Sequence, residues 1–148
     1  MASAFTPIRP IFEHLSVGTT HLARACAFYD AVLSPLGLVR VANEVEPAGA
    51  SACWGPAGSL PGPDGTPGAA PFWVEERPGP IICPPGFHLC FWAENRLAVR
   101  AFHAAGLAHG GLDNGAPGLR PHYADTYFAA FLLDPEGWRL EAVTFAAE

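Results

Sequence analysis

The sequence predicts an α+β fold made of two equivalent modules, each a strand, a helix and then about three strands. Three observations carry that prediction. His14-Leu15 matches His88-Leu89, Ala27-Phe28 matches Ala101-Phe102, and Gly37-Leu38 matches Gly111-Leu112, all at one constant offset equal to half the 148-residue chain, the mark of a duplicated supersecondary unit. Apolar residues then alternate along short runs but recur at helical spacing in one stretch of each half. Finally, a Pro/Gly stretch from Pro78 to Gly86 separates the halves. One repeat is too few for a solenoid, so a closed two-module domain is expected, with module one at about 11–77 and module two at about 87–146.

In the first module, Phe12 to Gly18 reads as a strand, with Thr19-Thr20 as a polar break that supplies the helix N-cap. Leu22, Ala25, Phe28, Tyr29, Val32 and Leu33 follow helical spacing. Ser34-Pro35-Leu36-Gly37 stops the helix, because proline cannot continue it and glycine serves the exit turn. Leu38 to Val45 and Ala50 to Trp54 are strand candidates. Residues 55–71 are more than half Gly and Pro, a composition for a long loop that serves either as a lid or as a surface insertion. Phe72 to Glu76 resumes as a strand. If Phe72 and Val74 face the helices, Trp73 and Glu75 face the opposite side.

In the second module, Phe87 to Trp92 is a strand and Asn95 caps a helix to about Leu107. Gly110 to Gly118 reads as loop. Thr126 to Leu133 and Trp138 to Phe145 are strands joined by Asp134-Pro135-Glu136-Gly137, which suits a type I turn. Without a bulge, this turn pairs Phe131 with Leu140 and Ala130 with Glu141. Glu141 then shares a face with Ala130 and Phe128, away from the helices.

Composition narrows the function classes. Charged residues make up 15% of the chain against a norm of roughly 25%, which fits a large pocket or an oligomer interface. The net charge of −6, with only 8 Lys and Arg and no basic cluster, argues against nucleic acid and anionic membranes as partners. No apolar run approaches the roughly 18 residues of a spanning helix, and 1–10 lacks the pattern of a signal peptide. A cytoplasmic protein is expected. Cys26, Cys53, Cys83 and Cys90 form no metal or redox spacing and read as reduced core residues.

Three residues point to chemistry. His14 and His88 hold equivalent strand positions, as a symmetric two-module metal site requires. Glu141 lies in an apolar interior strand, where a carboxylate is costly without a partner. That partner is a metal ion, a buried arginine or a solvated concave surface. Two His and a carboxylate with open positions suit divalent Fe, Mn, Ni or Zn. His122, Tyr123 and Tyr127 form a polar aromatic cluster on the approach to the strand beside Glu141, able to supply a proton donor or oxyanion partner or simply to pack. Trp54, Trp73, Trp92 and Trp138 line a pocket or pack the core. His21, His103 and His109 read as surface residues.

The stretches "EHLSVGTTHLARACAFYDAVLSPLGL", "GFHLCFWAENRLAVRAFHAAGLAHGG" and "YFAAFLLDPEGWRLEAV" resemble the vicinal oxygen chelate superfamily of glyoxalases, bleomycin-resistance proteins and extradiol dioxygenases. The segment "DNGAPGLRPHY" resembles its glyoxalase-like subgroup. The resemblance implies βαβββ modules forming a curved mixed sheet around a cavity, a homodimer, and metal ligands His14, His88 and Glu141. It also implies a substrate that chelates the ion through two adjacent oxygens, with Trp73, Trp92 and Phe128 as contacts and His122, Tyr123 and Tyr127 as catalytic candidates. The fourth ligand place falls at Trp73, and Glu75 fills it only if the register shifts by about two residues. That departure argues against the lactoylglutathione lyase reaction, whose general base stands there. A protein that sequesters an apolar aromatic compound without turnover is the alternative.

Overall fold

The computed structural model describes residues 11–59 and 72–148. Strand β1 (Leu15–Thr19), helix α1 (Leu22–Leu33), a 3₁₀ turn (Ser34–Leu36), β2 (Val39–Glu46), β3 (Gly49–Gly55) and β4 (Phe72–Glu76) form module one; β5 (Leu89–Trp92), α2 (Arg96–Ala108), β6 (Leu112–Leu119), β7 (Phe128–Leu133) and β8 (Arg139–Thr144) form module two. The strand orders are β1-β4-β3-β2 and β5-β8-β7-β6, with β1–β4 and β5–β8 parallel and the other pairs antiparallel. The fold is α+β with two similar modules, but the sheets remain two four-stranded units and do not close. The loop expected over 55–71 lies, from residue 60 on, outside the described residues.

Each helix packs on its own sheet, and the helices also pack against each other. A single apolar cluster spans both modules, with Phe28 and its equivalent Phe102 both fully buried at its centre. The approach of α2 to β7 is close: a Cβ on Gly106 would stand 2.2 Å from Leu132 Cδ1. Among the described residues no helix is long and apolar enough to cross a membrane.

The two helix N-termini show the duplication most directly. Asn95 caps α2 as expected, its side chain accepting from Ala98 N. The equivalent residue of module one is His21, not Thr19 or Thr20, and its Nδ1 accepts from Arg24 N at 3.3 Å. The two threonines are drawn away. Thr19 Oγ1, Thr20 Oγ1 and Thr20 N all donate to Glu136 Oε1 at 2.8 Å, as does Arg24 Nη2. Glu136 lies in the β7–β8 turn, so these bonds fasten module two to module one. Beside them Tyr29 OH donates to buried Asp134 Oδ2 at 2.7 Å, and Trp138 Nε1 donates to Gly18 O at 2.8 Å.

That turn also corrects the expected register. Gly137 takes φ +100° and Asp134 N bonds to Trp138 O, so Trp138 stands opposite Asp134 and Gly137 is the extra residue of a bulge. The pairing shifts by one: Phe131 lies opposite Glu141, and Ala130 opposite Ala142. A one-residue slip reverses every side chain. Phe128, expected on the Glu141 face, is instead 3% exposed in the core, with the Arg96 and Arg100 guanidinium groups over its ring. Two further expectations change. Leu112 to Leu119 is a strand despite its Gly and Pro, because β6 is an edge where proline costs no ladder bond and where bulges absorb the glycines. His103 is buried, not surface, and bonds to Asp113 Oδ1 at 2.8 Å.

Candidate metal centre and ligand groove

Glu141 is the organising residue. Its position in β8, between Cys90 of β5 and Phe131 of β7, turns its side chain away from the helices, yet it is only 3% exposed. Tyr127 OH donates to Glu141 Oε1 at 2.5 Å, and His88 Nε2 stands 3.2 Å from Oε2. No Lys or Arg pairs with this carboxylate among the described residues. Burial first, then the bond and charge of Glu141, hold the Tyr127 hydroxyl well above its usual range. It therefore stays protonated at neutral pH, a donor and not a base. Cys90, although open to solvent as a residue, has its thiol pushed up to about 12 by burial and then by the Glu141 charge. It is no nucleophile.

A cavity of about 460 Å³ over this face is lined by His88, Tyr123, Tyr127, Phe131, Arg139 and Glu141 among others. Tyr123 packs against Tyr127 in a tilted arrangement with centroids 5.1 Å apart, and His122 packs, also tilted, on Tyr123 at 4.2 Å from outside the lining. Two of the three proton-handling candidates thus border the cavity, and only Tyr127 touches Glu141.

Module one presents the same architecture with different chemistry. Leu15 pairs with Phe72 as Leu89 pairs with Leu140, so Trp73 is the structural equivalent of Glu141 and Ser16 the equivalent of Cys90. Alternation places Phe72 and Val74 in the core and Trp73 and Glu75 on the opposite face, as expected. Glu75 is tied to Arg77. His14 bonds to its neighbour Glu13.

Between the modules runs a groove of about 560 Å³, lined by Phe12, Leu15, Phe72, Phe91 and Trp92, with His14 and His88 both on its walls. His14 also borders the module-one cavity and His88 the module-two cavity, so each cavity shares one histidine with the groove. The fold therefore joins His88 to Glu141 and sets His14 along the same groove. Among the described residues no three His, Cys, Asp or Glu side chains converge closely enough to hold an ion. Of the four tryptophans, Trp73 and Trp92 line cavities. Trp54 is core, donating to Asp30 Oδ1 at 2.9 Å, and Trp138 packs on Phe87.

The sequence reading missed Phe131 and Cys90 as neighbours of Glu141. The signal for Phe131 was present, since a glycine ending a type I turn is the usual residue of a bulge that adds one position. The position of Cys90 followed from its alternation with Leu89, but its apolar neighbours suggested the core.

Comparison with known proteins agrees with this geometry. The profile of the Glyoxalase/Bleomycin resistance protein/Dioxygenase superfamily matches residues 11–142. A solved glyoxalase/bleomycin resistance protein from Albidiferax ferrireducens T118 is 31% identical, with a TM-score of 0.70 over 90% of this chain and 98% of its own. A glyoxalase/bleomycin resistance protein/dioxygenase family enzyme from Burkholderia phytofirmans PsJN is 16% identical (TM-score 0.60, 91% and 99% covered) and shares the fold. So does glyoxalase I from Zea mays, 17% identical with a TM-score of 0.67 over 88% of this chain but only 44% of its own. No curated protein matches the chain. With two βαβββ modules, unclosed sheets and the profile match over most of its length, the chain belongs to the Glyoxalase/Bleomycin resistance protein/Dioxygenase superfamily.

Proposed function

We propose that the protein is a metal-dependent enzyme acting on a small substrate that carries two vicinal oxygens. The observation that carries this reading is Glu141, a carboxylate 3% exposed, with a tyrosine hydroxyl and an imidazole as its partners and a cavity above it. Leaving such a group unpaired is costly, and a neutral hydroxyl with an imidazole only partly offsets its charge. A divalent cation would complete it. His88 and Glu141 already stand together, and His14, on the same groove but not converged with them, would turn in from Glu13 as the third donor. This nitrogen and oxygen set fits Fe, Mn, Ni or Zn. When bound, such an ion supplies Lewis acidity to charge developing on the substrate oxygens.

The chain's own residues do the rest. Tyr127, held protonated beside Glu141, is the group placed to donate a hydrogen bond or a proton to a substrate oxygen. Tyr123 packs against its ring. Phe131 floors the cavity, and Trp92 with Phe91 receives the apolar part of the substrate. A homodimer in the cytoplasm belongs to the same reading, supported by the exposed Ile11, Phe12, Val45, Ile82 and Trp92 and by four free cysteines.

Elemental analysis of protein purified without chelators or an affinity-tag metal tests the proposal. About one ion per chain is expected, and its loss in His88→Ala and Glu141→Ala. Protein that neither retains nor takes up any of the four metals would overturn it. One observation favours a second reading: the groove between β1 and β5 is apolar and aromatic for most of its length. A sequestering protein would bind an aromatic ligand equally well with and without metal.

A further inference from the structure

The concave face of module one has a chemistry unlike that of module two. Three strands place Glu44, Ser51 and Glu75 side by side, since Ser51 is the register partner of both carboxylates. One step along the sheet Trp73 lies beside Ser16, and Glu46 lies opposite Gly49. Together with Glu13, His14 and Arg77 these residues line a cavity of about 270 Å³. Among the described residues, four carboxylates thus face a single guanidinium. Arg77 is committed to Glu75 and to the carbonyl of Glu76, and Glu13 to His14. Glu44 and Glu46 have no ion pair among the described residues.

A second feature shows that this is more than an acidic surface. Ser51 is 7% exposed, lines the cavity, and its hydroxyl donates no hydrogen bond among the described residues. That side chain is more than nine-tenths buried, yet its hydroxyl opens on the cavity between two carboxylates, free to bond whatever fills the space. The indole of Trp73, which also lines the cavity, completes the set. Carboxylates give a cation long-range attraction, and an indole ring holds an alkylated ammonium by its quadrupole while an apolar surface accepts the methyl groups.

We propose that the module-one cavity is a subsite for an organic cation, so that the substrate pairs vicinal oxygens at one end with an alkylammonium group at the other. The inference rests on the proposed function for its oxygen end alone. The cation end stands on the Glu44, Glu46, Ser51 and Trp73 geometry. The apolar groove borders both, sharing His14 with the cationic end and His88 with the chelating end.

The test compares choline with its uncharged carbon isostere, 3,3-dimethylbutan-1-ol, by calorimetric or NMR titration of the full chain at low ionic strength. Choline should bind at least tenfold more tightly. A Glu44→Gln/Glu46→Gln double variant, changed only at the sheet edge, should weaken choline at least tenfold and leave the isostere unchanged. Trp73→Leu should weaken choline by a similar factor. Equal binding of the two compounds, or choline binding untouched by the double variant, overturns the proposal. Metal content measured on the same preparations separates the two readings. Metal present without choline preference sinks only the cation subsite, whereas choline preference without metal sinks only the metalloenzyme.

Discussion

Trp73 and Glu141 occupy one structural position in the two modules, and the difference between an indole and a carboxylate there sets what the site can do. The superfamily resemblance puts a ligand that doubles as general base where Trp73 stands. Indole has neither a lone pair for a metal nor a basic atom. Glu75, two residues on, cannot substitute by a simple register shift. It is held opposite Ser51 and Gly18 by ladder bonds on both sides and is tied to Arg77. The hemithioacetal of methylglyoxal and glutathione should therefore show negligible isomerisation, even with Ni(II) or Zn(II) added. A robust rate in a spectrophotometric assay would refute the role assigned to Trp73. At this scale the sequence was most legible where a residue's role follows from type and alternation, as with Glu141 and Trp73. It was least legible for His21 and His103, whose roles as cap and buried partner of Asp113 depend on backbone and neighbours that periodicity does not specify.

The β7–β8 hairpin does two jobs as an element. Its bulge sets Phe131, not Phe128, beside Glu141, and its turn carries the carboxylate that fastens the modules. Glu136 gathers bonds from Thr19, Thr20 and Arg24 with a side chain only 10% exposed. Burial pushes its carboxyl upward, yet those bonds outweigh it and hold the group below its usual 4.5. Glu136→Gln should cost about 1.5–3 kcal/mol at pH 7, the range for hydrogen bonds to a charged group, measured by chemical denaturation. A carboxyl depressed in the folded state contributes stability above its unfolded pKa and loses it as pH falls through the folded value. The difference between wild type and variant should therefore be complete above about pH 5 and shrink on acidification below the ordinary carboxylate range. Asp134 runs the other way, since burial raises its carboxyl despite the bond from Tyr29. Comparing the two proteins cancels that contribution. A difference that stays constant down to pH 3 would refute the role given to Glu136.

For the whole molecule, the exposed apolar side chains need an explanation. Phe12 is 59% and Trp92 72% exposed, and both line the groove between two sheets that do not close. Large exposed apolar patches mark interfaces or ligand grooves, and a homodimer burying more than roughly 1,000 Å² would cover part of this surface. Light scattering at micromolar concentration should give twice the chain mass, and a monomer would refute the dimer. The sequence by itself determined the duplication, the two helices and most strands, because periodicity and proline or glycine punctuation act locally. It also singled out Glu141, since an isolated charge in an apolar strand is a local anomaly. Tertiary structure decided the rest. The one-residue register of the last hairpin, the strand character of the glycine-rich β6, and the row of Glu44, Ser51 and Glu75 depend on which strands become neighbours. So does the placing of three cavities around His14 and His88. Those pairings join residues far apart in sequence, where the deciding energy is packing against a partner and not the preference of the segment.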